Sequence, residues 1–180
     1  MTKKDTLHPG WRKNEYNPGA FTQQNALYQK LFSDVIIERP EDLFQSGLNI
    51  LEVGPGTGQF ARWILKNENL EINSYNILDS SFCIHHPQGV LKEFNNVNYY
   101  ISEDYESLYE KRFDLLIAIQ CLSETPNFYY KDLLENLNYK YMFILDEGNL
   151  PGVPFNDYMN YFFQNKTTES SRIRITTDMY

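Results

Sequence analysis

The period of the apolar positions changes along the chain, and the change predicts its elements. Phe21, Leu27, Tyr28, Leu31, Phe32 and Val35 recur close to helical spacing, which predicts an amphipathic helix ending before Pro40. Residues 1–17 ahead of it are polar, contain Pro9-Gly10 and run into Pro18-Gly19, the composition of an irregular arm anchored by Trp11 and Tyr16. From Leu48 onward short apolar runs alternate with helical stretches. The order is LNILEV, QFARWILKN, INSYNILD, a broken SSFCIHHPQGVLKEF, VNYYI, a short helical piece over 105–111, FDLLIAIQ, a helix around 129–137, and YMFILD. That alternation predicts βαβ units and an α/β fold. Runs without polar alternation, such as LLIAI, are those of a parallel sheet covered by helices on both faces, a three-layer αβα arrangement. Beyond Leu150, NLPGVPFNDYMNYFF predicts a turn and a short amphipathic helix, and RIRIT alternates like a half-exposed strand. The expected organisation is an N-terminal arm and covering helix over 1–46, then one globular unit over 47–180.

Chemistry enters at LNILEVGPGTGQFA, a strand that runs into a glycine-rich turn and opens a helix. Gly54, Gly56 and Gly58, with Pro55 and Thr57 between them, let the backbone turn tightly and approach a ligand, and free amides at the helix start favour negative groups. A dinucleotide fingerprint requires glycine where this chain has Gln59. Glu52, just before the loop, is poorly placed beside a pyrophosphate and well placed near a cationic ligand. Asp79 ends the second strand run, where a carboxylate accepts hydrogen bonds from ribose hydroxyls. It also fits a helix cap before Ser80-Ser81. After the third run, Glu103-Asp104 stands where a carboxylate accepts an adenine amino group, with Ile101 and Ser102 beside the ring; Asp104 fits a solvated helix N-cap equally well.

At these residues the chain resembles the class I S-adenosylmethionine-dependent methyltransferases. LEVGPGTG is similar to their first motif, NILD to the acidic end of their second strand, and SED to their adenine-side loop, the likeness covering roughly residues 48–147. The resemblance implies a Rossmann-like doubly wound sheet and S-adenosylmethionine as cofactor. Glu52, Gly54, Pro55, Gly56, Thr57 and Gly58 would surround the methionine moiety, Asp79 and Ser80 the ribose, and Glu103 and Asp104 the adenine. Gln120 to Ser123 would lie beside the methionine moiety or the substrate. FDLLIAIQCLSE followed by an aromatic-rich helix also resembles bacterial sugar O-methyltransferases, which points to a small hydroxylated acceptor such as a sugar or metabolite. Two alternatives stand beside it: a methyltransferase-like binding module that is non-catalytic or dependent on a partner, and a protein or RNA methyltransferase.

A hydroxyl acceptor needs a base, and the candidates are His85, His86, Glu124, and Asp146 or Glu147 at the end of the fifth run. The histidines, in a loop before Pro87, also fit a surface or packing role, and Glu124 fits a helix-start carboxylate. Magnesium-dependent O-methyltransferases of this fold bind the metal at the position of Asp146 with an acid after the fourth strand; Gln120 and Cys121 stand there instead, so no metal is expected. The antiparallel strand pair that ends the family fold is shortened to RIRIT, which leaves an edge for a homodimer or a partner chain to complete.

The net charge of -8 over 180 residues disfavours nucleic-acid partners, and the SETPNF loop lacks the Asn/Asp-Pro-Pro-aromatic pattern of amino-methylating DNA enzymes. Cys83 and Cys121 are too few for a disulfide framework or a zinc site. No run approaches the ~18 apolar residues of a membrane span, and MTKKDTLHPGW carries no apolar signal segment. The expectation is a cytoplasmic protein with a small-molecule substrate, no DNA and no membrane.

Overall fold

The computed structural model describes residues 26–34, 47–122, 125–147, 157–159, 161 and 173–177. Six strands, β1 (Leu48–Val53), β2 (Ile72–Asp79), β3 (Val97–Ile101), β4 (Arg112–Ile119), β5 (Asn138–Glu147) and β6 (Ile173–Thr177), form one sheet in the order β3-β2-β1-β4-β5-β6. Every pairing is parallel. This is a Rossmann-like α/β fold, and the five strand runs of the sequence fall on β1 to β5, with β5 beginning three residues before YMFILD. The order reverses between β1 and β4, so a crevice opens at the carboxyl ends of those two strands. RIRIT supplies β6, which lies parallel on β5 through Phe143↔Ile173 to Glu147↔Thr177. Among the described residues it is a single parallel strand rather than part of an antiparallel pair, and the resulting order is the one dinucleotide folds use.

Helices cover both faces. On one side, α1 (residues 26–34), α2 (Gln59–Leu65) and α3 (His85–Val90) bury Tyr28, Phe32, Phe60, Ile64 and Leu91 against Ile50, Tyr75, Ile77, Ile117 and Phe143. Phe32 meets Phe60 and Phe143 edge-on, with ring centroids 5.6 and 5.2 Å apart. On the other side, a 3-10 helix (Ser102–Leu108), α4 (Asn127–Asn136) and residues 157–159 bury Tyr105, Leu108, Tyr130, Leu133 and Met159 against Leu51, Val53, Leu78, Leu116 and Met142. The helical piece expected over 105–111 thus begins earlier and winds more tightly, with a kink at Asp104 (φ -130, ψ 32).

His85 and His86 belong to the first turn of α3, not to a loop. The amides of Cys83 and Ile84 both bond the Ser80 carbonyl, so the chain is already turning when it reaches them. Pro87 then falls early enough in the helix to be tolerated. No described helix is long and apolar enough to cross a membrane.

One carboxylate ties the second layer together. Tyr105 and Tyr109 both donate their hydroxyls to Asp132 Oδ2, the latter at 2.6 Å, and Asn136 Nδ2 donates to Asp132 Oδ1 at 2.9 Å. Replacing Asp132 with Ala removes the acceptor that the two phenols of a half-buried cluster share. The expected loss is about 2–3 kcal/mol of unfolding free energy, read by urea titration.

Candidate functional site

Register brings the ends of the central strands into line: Val53 lies beside Leu78 on β2 and Ala118 on β4, and Asp79 beside Ile101 on β3. The glycine loop leaves β1 at this level. Gly54, Gly56 and Gly58 have φ of 64, 56 and 80°, left-handed conformations that side chains rarely adopt. Space divides their roles. A Cβ on Gly54 would sit 2.6 Å from Cys121 Cβ, because β4 ends against the start of the loop. A Cβ on Gly58 would meet Pro87 of α3 at 3.0 Å. At Gly56, which is exposed, nothing lies within 4 Å of that position, so the loop's apex faces open space. Pro55 and Thr57 are half-buried beside it. The Gly54 amide donates to Leu78 O at 2.9 Å and the Gly58 amide to Pro55 O at 3.0 Å, which fixes the turn at both ends.

Three carboxyl groups approach the same strand ends. Glu52 is 2% exposed and accepts a hydrogen bond from the Tyr75 hydroxyl at 2.8 Å. Burial pushes its pKa up to about 8, against the Tyr75 bond that lowers it, with the charge of Asp79 adding to the rise. Burial and the adjacent Glu52 likewise hold the Tyr75 phenol protonated. Asp79 is 4% exposed, accepts the Ser80 amide at 2.7 Å, and is pushed up to about 6 by burial, the Ser80 bond opposing and Glu103 reinforcing the rise. Ser80 itself is buried and turns its hydroxyl oxygen to the Cys83 amide at 3.2 Å. Glu103, in the first turn of the 3-10 helix after β3, reaches across to the loop after β2, accepting from the Ser81 hydroxyl and, at 3.2 Å, the Ser81 amide. Partial burial raises its pKa, but these hydrogen bonds outweigh it and leave the group below the usual carboxylate range.

Of the residues singled out in the sequence, the structure gathers Glu52, Asp79, Ser80, Glu103 and the loop from Gly54 to Gly58. Asp104 stands apart. It is exposed, and its carbonyl accepts the Ser107 hydroxyl at 2.8 Å, while the neighbouring Glu103 turns to Ser81. Gln120 ends β4 with φ 48, a strained conformation for a non-glycine residue, its amide on Leu145 O at 2.6 Å and its Oε1 accepting the Tyr28 hydroxyl at 2.5 Å. His86 is exposed, its ring tilted by 39° against that of His85 with centroids 4.0 Å apart, in the helix whose Pro87 supports Gly58. Ser123 and Glu124 lie outside the described residues, as do Trp11, Tyr16, Phe21 and the side chains of Asp146 and Glu147. No group of three or more His, Cys, Asp or Glu residues among those described is arranged to hold a metal ion.

Sequence reasoning missed Tyr75 and Tyr129. Tyr75 had a signal: strand parity puts it on the face of Ile77 and Asp79, and register puts Glu52 on that face too. Tyr129 had none, since FYY gives three consecutive aromatics and the helix phase alone decides which faces the crevice. It is 7% exposed, its ring stands edge-on against Tyr105 in the layer that holds Val53 and Cys121, and its pKa is raised first by burial and then by Cys121, Tyr105, Asp79 and Glu103. Phe82 and Ile101 add exposed apolar surface next to Asp79 and Glu103, at 60% and 43% exposure.

No family model and no curated protein matches the sequence. Among solved structures, the chain is similar to the Bordetella bronchiseptica enzyme WbmF in complex with NAD+ and UDP, at TM-score 0.53 and 12% identity over 77% of this chain and 51% of that one. It is equally similar to the CurJ carbon methyltransferase, at TM-score 0.53 and 17% identity over 73% of this chain and 38% of that one. Pen from Bacillus thuringiensis gives TM-score 0.52 and 12% identity over 73% of this chain and 51% of that one. The chain therefore spans about half the length of these proteins or less, and what it shares with them is the fold.

Proposed function

We propose that the crevice between β1 and β4 binds S-adenosylmethionine and that the chain is a methyltransferase, acting on a small hydroxylated molecule. The observation that carries this reading is Glu52. A carboxyl group at 2% exposure, with a phenol as its hydrogen-bond partner and its ionised form disfavoured, lies next to a glycine loop whose apex is open. The ion pairs among the described residues, Arg62–Glu93 and Lys66–Glu93, lie at the outer surface of α2. A cationic ligand beside Glu52 favours its ionised form, whereas a pyrophosphate meets three carboxyl groups.

The residues present fit such a cofactor. Gly56 leaves room where a side chain would intrude, Asp79 keeps one oxygen for a ribose hydroxyl, and Phe82 and Ile101 offer apolar walls for a base. When bound, the sulfonium supplies an electrophilic methyl group for in-line displacement. The chain's own task is then to orient the cofactor and exclude water. His86, Glu124 and Asp146 remain the candidate bases for a hydroxyl acceptor.

The strand order favours a second reading, a dinucleotide site, because β6 lies parallel to β5 as in dinucleotide folds. Calorimetric titration with S-adenosylmethionine, S-adenosylhomocysteine and NAD+ separates the two. Binding of the first two and not of NAD+ is expected, with Asp79→Ala weakening it about 100-fold through loss of charge-assisted bonds. Folded protein that ignores both sulfur ligands overturns the proposal. A labelled-methyl assay on a sugar and metabolite panel then distinguishes turnover from a partner-dependent binding module.

A further inference from the structure

We infer that Tyr129, in the first turn of α4, contacts the bound nucleoside by donating its hydroxyl hydrogen to a ribose oxygen. Three observations carry this, and the inference rests on the proposed nucleoside site. First, the residue is placed for it: α4 follows β4, so its first turn stands at the carboxyl end of the sheet across the crevice from the glycine loop. The Tyr129 ring is seated edge-on against Tyr105, centroids 4.8 Å apart, in the layer that also holds Val53 and Cys121.

Second, the hydroxyl is an orphan. Tyr129 is 7% exposed, and its oxygen makes no hydrogen bond to a described residue, although Tyr105 and Tyr109 beside it share Asp132. A buried hydroxyl left without a partner is costly, and such groups are normally satisfied by water or by a ligand. Nothing about packing requires the oxygen, since phenylalanine would fill the same space.

Third, the surrounding chemistry selects the partner. Asp79 and Glu103 can only accept hydrogen bonds when ionised, and Tyr129, kept protonated first by burial and then by the negative groups around it, can offer a donor. A ligand hydroxyl fits both, giving its hydrogen to the carboxylate and its lone pair to the phenol. A vicinal diol at the nucleoside end of the crevice has that chemistry on each of its oxygens, whereas the base edge divides donor and acceptor between separate nitrogens and the sulfonium has no donor.

The test compares wild type with Tyr129→Phe by calorimetric titration of S-adenosylhomocysteine and of its 2′,3′-dideoxyribose analogue, alongside thermal melts of the unliganded proteins. The inference expects Tyr129→Phe to bind S-adenosylhomocysteine about five- to tenfold more weakly, to bind the dideoxy analogue as wild type does, and to melt no lower than wild type. Equal affinity of both proteins for S-adenosylhomocysteine overturns the inference while leaving the nucleoside site standing. So does an equal weakening toward both ligands, because the contact is then not with the diol. If wild type binds neither ligand, the nucleoside reading falls and the inference with it.

Discussion

Glu52→Gln is expected to make the unliganded protein more stable in alkaline solution and to abolish binding of a cationic cofactor. Glu52 has its folded-state pKa raised from 4.5 to about 8. Between those values the unfolded chain has released the proton and the folded protein has kept it, so the folded state binds more protons and stability falls as pH rises. Below about 4.5 both states are protonated and the group costs nothing electrostatic. By pH 8 a displacement of that size corresponds to on the order of 4 kcal/mol of lost stability. Asp79, raised to about 6, adds a smaller loss in the same direction over a lower window. Glutamine preserves an acceptor for the Tyr75 hydroxyl and cannot ionise. Melts of wild type and Glu52→Gln from pH 6 to 8.5 should therefore diverge, the variant gaining with each step. Parallel curves would show that Glu52 is ionised and paired in the folded protein. The same variant separates stability from function: its gain in stability should accompany loss of S-adenosylmethionine binding, the trade expected of a strained functional group.

Gly54→Ala should be the most damaging single change in the loop. The backbone there has φ 64, which costs an L-residue about 1–2 kcal/mol, and the new Cβ would stand 2.6 Å from Cys121 Cβ. Overpacking at the junction of two central strands adds about 1–3 kcal/mol, for a total near 3 kcal/mol by urea unfolding. Adding Cys121→Gly removes the atom in the way and should restore the packing share while the backbone share persists. Gly56→Ala provides the contrast. Its φ is 56 and its surroundings are open, so only the backbone cost of about 1–2 kcal/mol applies, yet the methyl occupies the space a ligand would use. A Gly54→Ala protein as stable as wild type would mean that the β4 terminus gives way easily at Cys121.

The regular part of this fold was legible because period and burial agree. LNILEV and the core of FDLLIAIQ become strands because central parallel strands covered on both faces require nearly continuous apolar runs, INSYNILD is buried only from Tyr75 onward, and VNYYI, on the sheet's edge, is legible from its β-branched and aromatic residues. The glycine loop was legible for a related reason, since its three left-handed positions have few alternatives to glycine. What escaped depends on phase and on distant neighbours. HHPQGV does not look helical until Ser80 is seen to accept two amides ahead of it. The choice between Glu103 and Asp104 turns on a kink of the 3-10 helix and on Ser81, 22 positions away. The direction of RIRIT is a tertiary matter, because an alternating strand pairs in either sense.

The edge-on packing of Phe32 between Phe60 and Phe143 also bears on the order in which the chain acquires its structure. Phe32 precedes Phe143 of the fifth strand by 111 positions, so α1 reaches its final seat only after β5 has emerged from the ribosome. Until then Tyr28, Leu31 and Phe32 lack the part of their sheet face that β5 supplies, and Gln120 lacks the Tyr28 hydroxyl it accepts in the finished molecule. A contact of such long sequence separation slows folding relative to the local strand-helix-strand units. Among the described helices α1 is thus one of the last to dock, and until it does its apolar stripe stays uncovered.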